Sequence, residues 1–214
     1  MSEATYQIYG RPNAGSLAVQ ILLEEIGEPY KLLWVERTPE ALEAYRRINP
    51  AGKVPALVLP DGTPVCESAA ILTYLASAYP AAHLAPEAGS AAHARFLQWM
   101  VFLSANVYET ALRYYYAERY SSAGAAAQAG IQERALQDYL RHLEAVHEAL
   151  APYVLGEAFS ALDPYLYMLT SWYPGDTAAL HERLPRLARH SALLRQRAAT
   201  LKADADHAEK APST

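Results

Sequence analysis

The pattern of the chain changes once, near Pro80, and that change limits what it can fold into. Before it, strand-like and helix-like runs alternate; after it, no convincing strand pattern remains. Thr5 to Tyr9 is short, rich in β-formers and closed by Gly10-Arg11-Pro12, which reads as a strand ending in a turn. Leu17, Val19, Ile21, Leu22, Leu23 and Ile26 then recur at helical period up to Gly27, with Ser16 at or near the N-cap. Tyr30 to Val35 reads as a second strand, and Pro39 to Ile48 as a helix with proline in its first turn. Two short apolar runs, Ala56 to Leu59 and Pro64 to Cys66, flank Pro60-Asp61-Gly62-Thr63, as in a hairpin with a four-residue connection. Helical periodicity returns through Ala69, Ile71, Leu72 and Leu75.

This order, βαβαββα, predicts a sheet covered by helices over residues 1–80. Residues 81–89 read as a linker. Helical runs at Ala92 to Tyr120, Ile131 to Leu150, Leu162 to Trp172 and Pro185 to Leu201 predict an all-helical domain over 90–203. The polar end, 204–214, is expected to be a disordered tail.

Hydrophobic residues make up 52% of the chain and charged residues 19%, which suits a packed core and argues against disorder. The net charge is -5 and no Lys/Arg cluster stands out, so nucleic acid is not an expected partner. The basic stretch Arg183 to Arg197 is interleaved with Leu and Ala and reads as a solvated helix face. No apolar run reaches the ~20 residues that cross a bilayer. Cys66 is the single cysteine, so neither a disulfide framework nor a CxxC pair is available. The start of the chain lacks a basic segment followed by an apolar one, so the expectation is no signal peptide and a reducing, cytoplasmic setting. The seven histidines form no metal-binding spacing, and no metal is expected; His142 and His147 read as residues of a solvated face. Cys66 reads as a small buried hydrophobe rather than a nucleophile.

The most informative stretch is Asn49-Pro50-Ala51-Gly52-Lys53-Val54-Pro55-Ala56-Leu57. Pro55 cannot donate a ladder hydrogen bond, so it belongs at the start or edge of the strand it precedes. A cis Val54-Pro55 bond would turn the Val54 backbone outward; an ordinary turn is the alternative. Glu67-Ser68 follows some ten residues on, at the start of a helix, where plain capping would favour the same residue types.

Together these segments resemble the glutathione transferase family, and the resemblance covers nearly the whole chain. It is strongest in Asn49 to Leu57, Glu67 to Leu75 and Tyr9 to Glu25. It implies an α/β plus all-α fold, a thioredoxin-like βαβαββα domain followed by a helical one. It implies glutathione as co-substrate. Val54, ahead of Pro55, would pair its backbone with the cysteinyl part of glutathione, a small strand addition. Glu67 would take the γ-glutamyl ammonium and Ser68 its carboxylate. Arg37 and Lys53 are candidates for the glycyl carboxylate, with plain surface cations as the alternative.

The thiol must be activated, because its pKa lies near ~8.5. Pro12-Asn13-Ala14-Gly15-Ser16-Leu17-Ala18 resembles the bacterial beta-class pattern, with Gly15 where that class has a cysteine. Ser16 is the remaining hydroxyl. In theta-like and zeta-like members the catalytic serine falls nearer Asn13, and Tyr9 aligns with the catalytic tyrosine of other classes. The expected order is Ser16, Asn13, Tyr9. In the helical domain, Ser160 to Asp163 resembles the family's capping motif, a folding element. The acceptor pocket is expected between the domains, with Tyr108, Tyr115 and Tyr116 as candidates against a small electrophile; a dimer contact or core packing are the alternatives. The family implies a homodimeric detoxification enzyme. A non-catalytic glutathione or ligand carrier, or an interaction module on the same fold, stands beside it.

Overall fold

A computed structural model describes residues 5–211. Met1 to Ala4 and the closing Pro212-Ser213-Thr214 lie outside the described residues, and with them those parts of the expected signal-free start and disordered tail. The chain divides into two compact units, 1–85 with 195–214, and 86–194.

The first unit has the expected order: β1 (Tyr6–Gly10), α1 (Ser16–Ile26), β2 (Tyr30–Trp34), α2 (Pro39–Tyr45), β3 (Ala56–Val58), β4 (Pro64–Cys66) and α3 (Ser68–Ala78). This is a thioredoxin-like arrangement. The sheet runs β2-β1-β3-β4, with β1 and β2 parallel and the other pairs antiparallel. Pro64 opens β4, where its missing N–H costs nothing. Strand alternation splits β1: Tyr6 and Ile8 are buried on one face, while Tyr9 joins a cluster of Val35, Tyr45, Ala56, Ile48, Val54 and Cys66. α1 packs on β1 and α3 and ends at Gly27, whose φ of 83° lets its N–H reach the Leu23 carbonyl at 2.9 Å.

The expected single helix from Pro185 to Leu201 is two, α9 (Pro185–Leu194) and α10 (Ala198–Lys210), broken at Arg195-Gln196-Arg197. α10 also corrects the expected tail: residues up to Lys210 are helical and belong to the first unit. It is held on α1 by a bidentate Arg197–Glu25 pair, both contacts at 2.6 Å, and by Gln20 donating to Asp206 at 2.6 Å. Lys202 bridges Glu24 at 3.3 Å and Asp206 at 2.9 Å. Its buried side chains are Ala199, Thr200, Ala203 and His207, so small residues let it approach closely without any long apolar stripe.

The second unit is helical: α4 (Ala91–Phe102), a π-helical stretch Leu103–Tyr108, α5 (Glu109–Tyr115), α6 (Ala125–Ala149), α7 (Leu162–Ser171), α8 (Thr177–Arg183) and α9. The long helix expected over Ala92 to Tyr120 is therefore interrupted by a wider turn. From the start of α5, the Thr110 hydroxyl donates back into that turn, to the Asn106 carbonyl at 2.5 Å. His142 is not on a solvated face: its Nδ1 lies 3.2 Å from the Thr110 hydroxyl and its ring meets Phe102 edge-on at 5.7 Å. The Ser160–Asp163 element forms, but not as a simple reciprocal pair. Asp163 accepts from the N–H and hydroxyl of Ser160, at 2.7 and 3.1 Å, and from the Val154 N–H at 3.0 Å. The Ser160 hydroxyl oxygen accepts from Leu162 N–H, at 3.3 Å, rather than from Asp163. Among the described residues no helix is long and apolar enough to cross a membrane.

Candidate functional site

The sheet register brings four separated segments to one end of the first unit. Tyr9 pairs with Ala56, and Ala56 pairs with Cys66. The exit of β1, the entry to β3 and the exit of β4 therefore lie side by side. β2 runs parallel to β1, so its exit toward Arg37 is at the same end, tied there by the Val35 N–H to the Gly10 carbonyl at 2.9 Å. Strand ends of this kind, where helices begin, are where α/β sheets place ligands.

At the entry to β3 the Val54–Pro55 bond is cis. Among the described residues neither the N–H nor the C=O of Val54 has a hydrogen-bond partner, although it precedes a paired strand. The preceding carbonyl, that of Lys53, is doubly held. It accepts from the Tyr45 hydroxyl at 2.8 Å and from Asn49 Nδ2 at 2.5 Å. Asn49 is fixed in turn by the Ala51 N–H on its Oδ1 at 3.0 Å. Burial pushes the Tyr45 hydroxyl up to about 12, with the Asn49 hydrogen bond opposing, so it is a donor at neutral pH. The Lys53 side chain itself is exposed, as is Arg37.

At the exit of β4, Glu67 is exposed and holds φ at 68°, a left-handed value that a non-glycine residue adopts at a cost. Ser68 is buried and opens α3, and the side chain of the N-cap residue Glu67 makes no capping bond to it. A carboxylate and a helix N-terminus thus lie beside an unpaired strand backbone, which suits a zwitterionic amino-acid group joined to a peptide. Cys66, next to them, has its thiol pushed up by burial and then by the charge of Glu67, which keeps it protonated.

At the exit of β1 the three thiol-activating candidates separate. Ser16 is fully buried, is the first helical residue rather than the cap, and donates its hydroxyl to the Arg11 carbonyl at 3.3 Å. Gly15 stands at the cap position with no side-chain bond. Asn13 is exposed at φ 52°. Tyr9 packs its ring on Tyr45 at 5.8 Å and turns its hydroxyl to Gln7 at 3.3 Å.

In the second unit, Tyr108 and Tyr115 meet on Trp172. The Tyr108 ring sits edge-to-face on it at 5.1 Å, and the Tyr115 hydroxyl donates to its carbonyl at 2.7 Å. Tyr116 does not join them; the Arg119 guanidinium lies over its ring at 3.8 Å. Sequence reasoning passed over Trp172, and over Tyr45 and Asn49. For the last two a signal existed: a buried asparagine ahead of a Pro-Ala-Gly turn must bond its own backbone.

The sequence pattern of the glutathione S-transferase N-terminal domain matches residues 16–78, which contain β2 to α3 and most of these segments. Glutathione S-transferase GstA of Escherichia coli O157:H7 is 28% identical over 171 residues, 78% of this chain and 81% of that protein. A glutathione transferase homologue from Sulfitobacter, crystallised with bound glutathione, aligns with a TM-score of 0.85 at 28% identity, covering 95% of this chain and 98% of that one. A sphingomonad glutathione S-transferase complexed with glutathione aligns with a TM-score of 0.79 at 30% identity, covering 94% and 98% of the two chains. The chain belongs to the glutathione S-transferase family.

Proposed function

We propose that this protein binds glutathione at the strand-end site of its first unit and transfers it to a small electrophile. The observation that carries the reading is the unpaired Val54 backbone standing beside Glu67 and the α3 N-terminus. An antiparallel peptide would exchange two hydrogen bonds with Val54, ahead of Pro55. Its γ-glutamyl ammonium would face Glu67, and its carboxylate the Ser68 end of α3. Arg37 and Lys53, both exposed cations, would meet the glycyl carboxylate. The two structural relatives with glutathione bound support the same ligand.

In this reading the thiol gives up its proton and its sulfur attacks the electrophilic carbon. With an aryl halide, halide leaves; with an enal, the double bond takes the electrons and then a proton. The thiolate would be stabilised at the start of α1, where Asn13 is the exposed side-chain donor and the first-turn N–H groups add the helix dipole. Ser16, being buried on the Arg11 carbonyl, would act by shaping that turn, and Tyr9 by packing. Tyr108 and Tyr115 are the aromatic contacts proposed for the electrophile. The reading includes a homodimer joined through α4, where Leu97 and Val101 are 40% and 62% exposed one turn apart. It includes a reducing cytoplasmic setting and a detoxifying role.

Glutathione-dependent turnover of 1-chloro-2,4-dinitrobenzene, with and without Asn13→Ala, tests the transfer step. A loss of about tenfold or more in the variant is expected, the scale of one hydrogen bond to a charged group. Gly15 in the cysteine position and the burial of Ser16 favour a second reading, a glutathione carrier without turnover. Retention on glutathione-agarose with no turnover of any aryl halide or enal would select it. Light scattering at the mass of one chain would remove the dimer from either reading.

A further inference from the structure

The site contains two buried polar side chains that touch no exposed surface of it, Tyr45 at 3% and Asn49 at 4% exposure. Both donate to one atom, the carbonyl oxygen of Lys53. A carbonyl oxygen offers two lone pairs, and here both are taken. The Lys53–Val54 peptide is not among the cis bonds, so its C=O and N–H point in opposite directions across a rigid plane. Whatever grips the carbonyl from inside therefore aims the Val54 N–H outward. That N–H has no partner among the described residues. The grip is itself stiff, since the Ala51 N–H fixes the Asn49 amide and the Tyr45 ring lies against Tyr9 at 5.8 Å.

We infer that Tyr45 and Asn49 are positioning residues for ligand recognition, holding the Lys53–Val54 peptide so that the Val54 N–H meets the cysteinyl carbonyl of glutathione. The inference rests on the glutathione reading above and assigns to two residues behind the site a role that neither could play by contact. The Val54 carbonyl belongs to the next peptide unit, with Pro55, and is outside their grip. The two halves of the backbone pairing therefore depend on different supports. A ligand that lacks the cysteinyl carbonyl should be indifferent to Tyr45 and Asn49.

γ-Glutamylcysteamine is such a ligand: it keeps the γ-glutamyl group, the amide N–H and the thiol, and lacks both that carbonyl and the glycine. Binding of glutathione and of γ-glutamylcysteamine would be measured by calorimetry, the weaker by competition, for the unaltered chain, Tyr45→Phe and Asn49→Ala. Tyr45→Phe keeps the ring in its cluster and serves where Asn49→Ala fails to fold. The expected result is about a fivefold loss of glutathione affinity in Tyr45→Phe, the scale of one hydrogen bond, with γ-glutamylcysteamine unchanged. Equal losses for both ligands would show a merely structural role and overturn the inference, as would no loss for glutathione. Failure of the unaltered chain to bind either ligand would instead overturn the glutathione reading itself.

Discussion

Ser16 lies so tightly over Gly10 that a methyl group on Gly10 would stand 2.4 Å from the serine oxygen and 2.5 Å from its Cβ. The last residue of β1 and the first of α1 are thus in van der Waals register, and the turn Arg11 to Gly15 is held between them. Gly10→Ala is expected to lose about 1–3 kcal/mol in urea unfolding, because the Ser16 Cβ cannot rotate away. Ser16→Gly placed in the same chain should return part of that loss. An alanine variant as stable as the parent would mean that this turn is looser than described.

Glu67 holds a positive φ at the exit of β4. Glycine adopts that conformation without a Cβ clash, so Glu67→Gly is expected to leave the fold unchanged or more stable by up to about 1 kcal/mol. The same change removes the carboxylate proposed for the γ-glutamyl ammonium, and glutathione affinity should fall by about tenfold or more. Thermal unfolding and calorimetry on one preparation would record opposite responses. A variant that is less stable and binds as before would contradict both halves.

Asp163 is fully buried and accepts from Ser160 twice and from Val154 once, with His190 Nε2 at 3.1 Å. Asp163→Ala leaves these donors in the interior with no acceptor, and a loss of about 3 kcal/mol or more is expected. Ser160→Ala removes one donor and should cost less, about 1 kcal/mol. Urea unfolding of the two variants would give that order, and the reverse order would contradict the geometry.

α10 carries a pH dependence. Burial pushes the His207 imidazole down to about 4, against the opposing charge of Asp206, while its ring rests edge-on against Trp34 at 5.0 Å. The folded chain therefore holds His207 neutral where the unfolded chain, with a pKa near ~6.5, would protonate it. Its contribution is whole above pH 6.5 and is lost as pH falls toward 4, amounting to about 2 kcal/mol between pH 7 and pH 5. Urea unfolding at those two pH values should show His207→Leu with a pH dependence smaller than the parent's by that amount. Equal pH dependence in the two chains would contradict it.

The first unit was readable because its elements are marked by residues with few alternatives. Gly27 ends α1, Pro60-Asp61-Gly62-Thr63 turns the hairpin, and Pro64 can only open a strand. α10 was missed because its buried positions are Ala199, Thr200, Ala203 and His207, which carry no apolar periodicity; its attachment comes from ion pairs to α1 that only tertiary structure reveals. α8 was missed although Asp176 caps it, accepting from the N–H groups of Ala178 and Ala179 at 2.8 and 3.2 Å. At the site, Val54, Glu67 and Ser68 were singled out by resemblance to the family, and their ligand roles are proposals. The burial of Ser16 was not legible, since nothing in Gly15-Ser16-Leu17 says which way the hydroxyl turns. Tyr45 and Asn49 act through a carbonyl four to eight residues away, a relation that residue types alone do not display.

The central claim is that glutathione binds at Val54, Glu67 and Ser68. Isothermal titration of glutathione into the unaltered chain and into Glu67→Ala tests it most directly. Saturable one-site binding by the parent, weakened about tenfold or more in the variant, is the predicted result. Absence of binding by the parent, or equal binding by both chains, would contradict it.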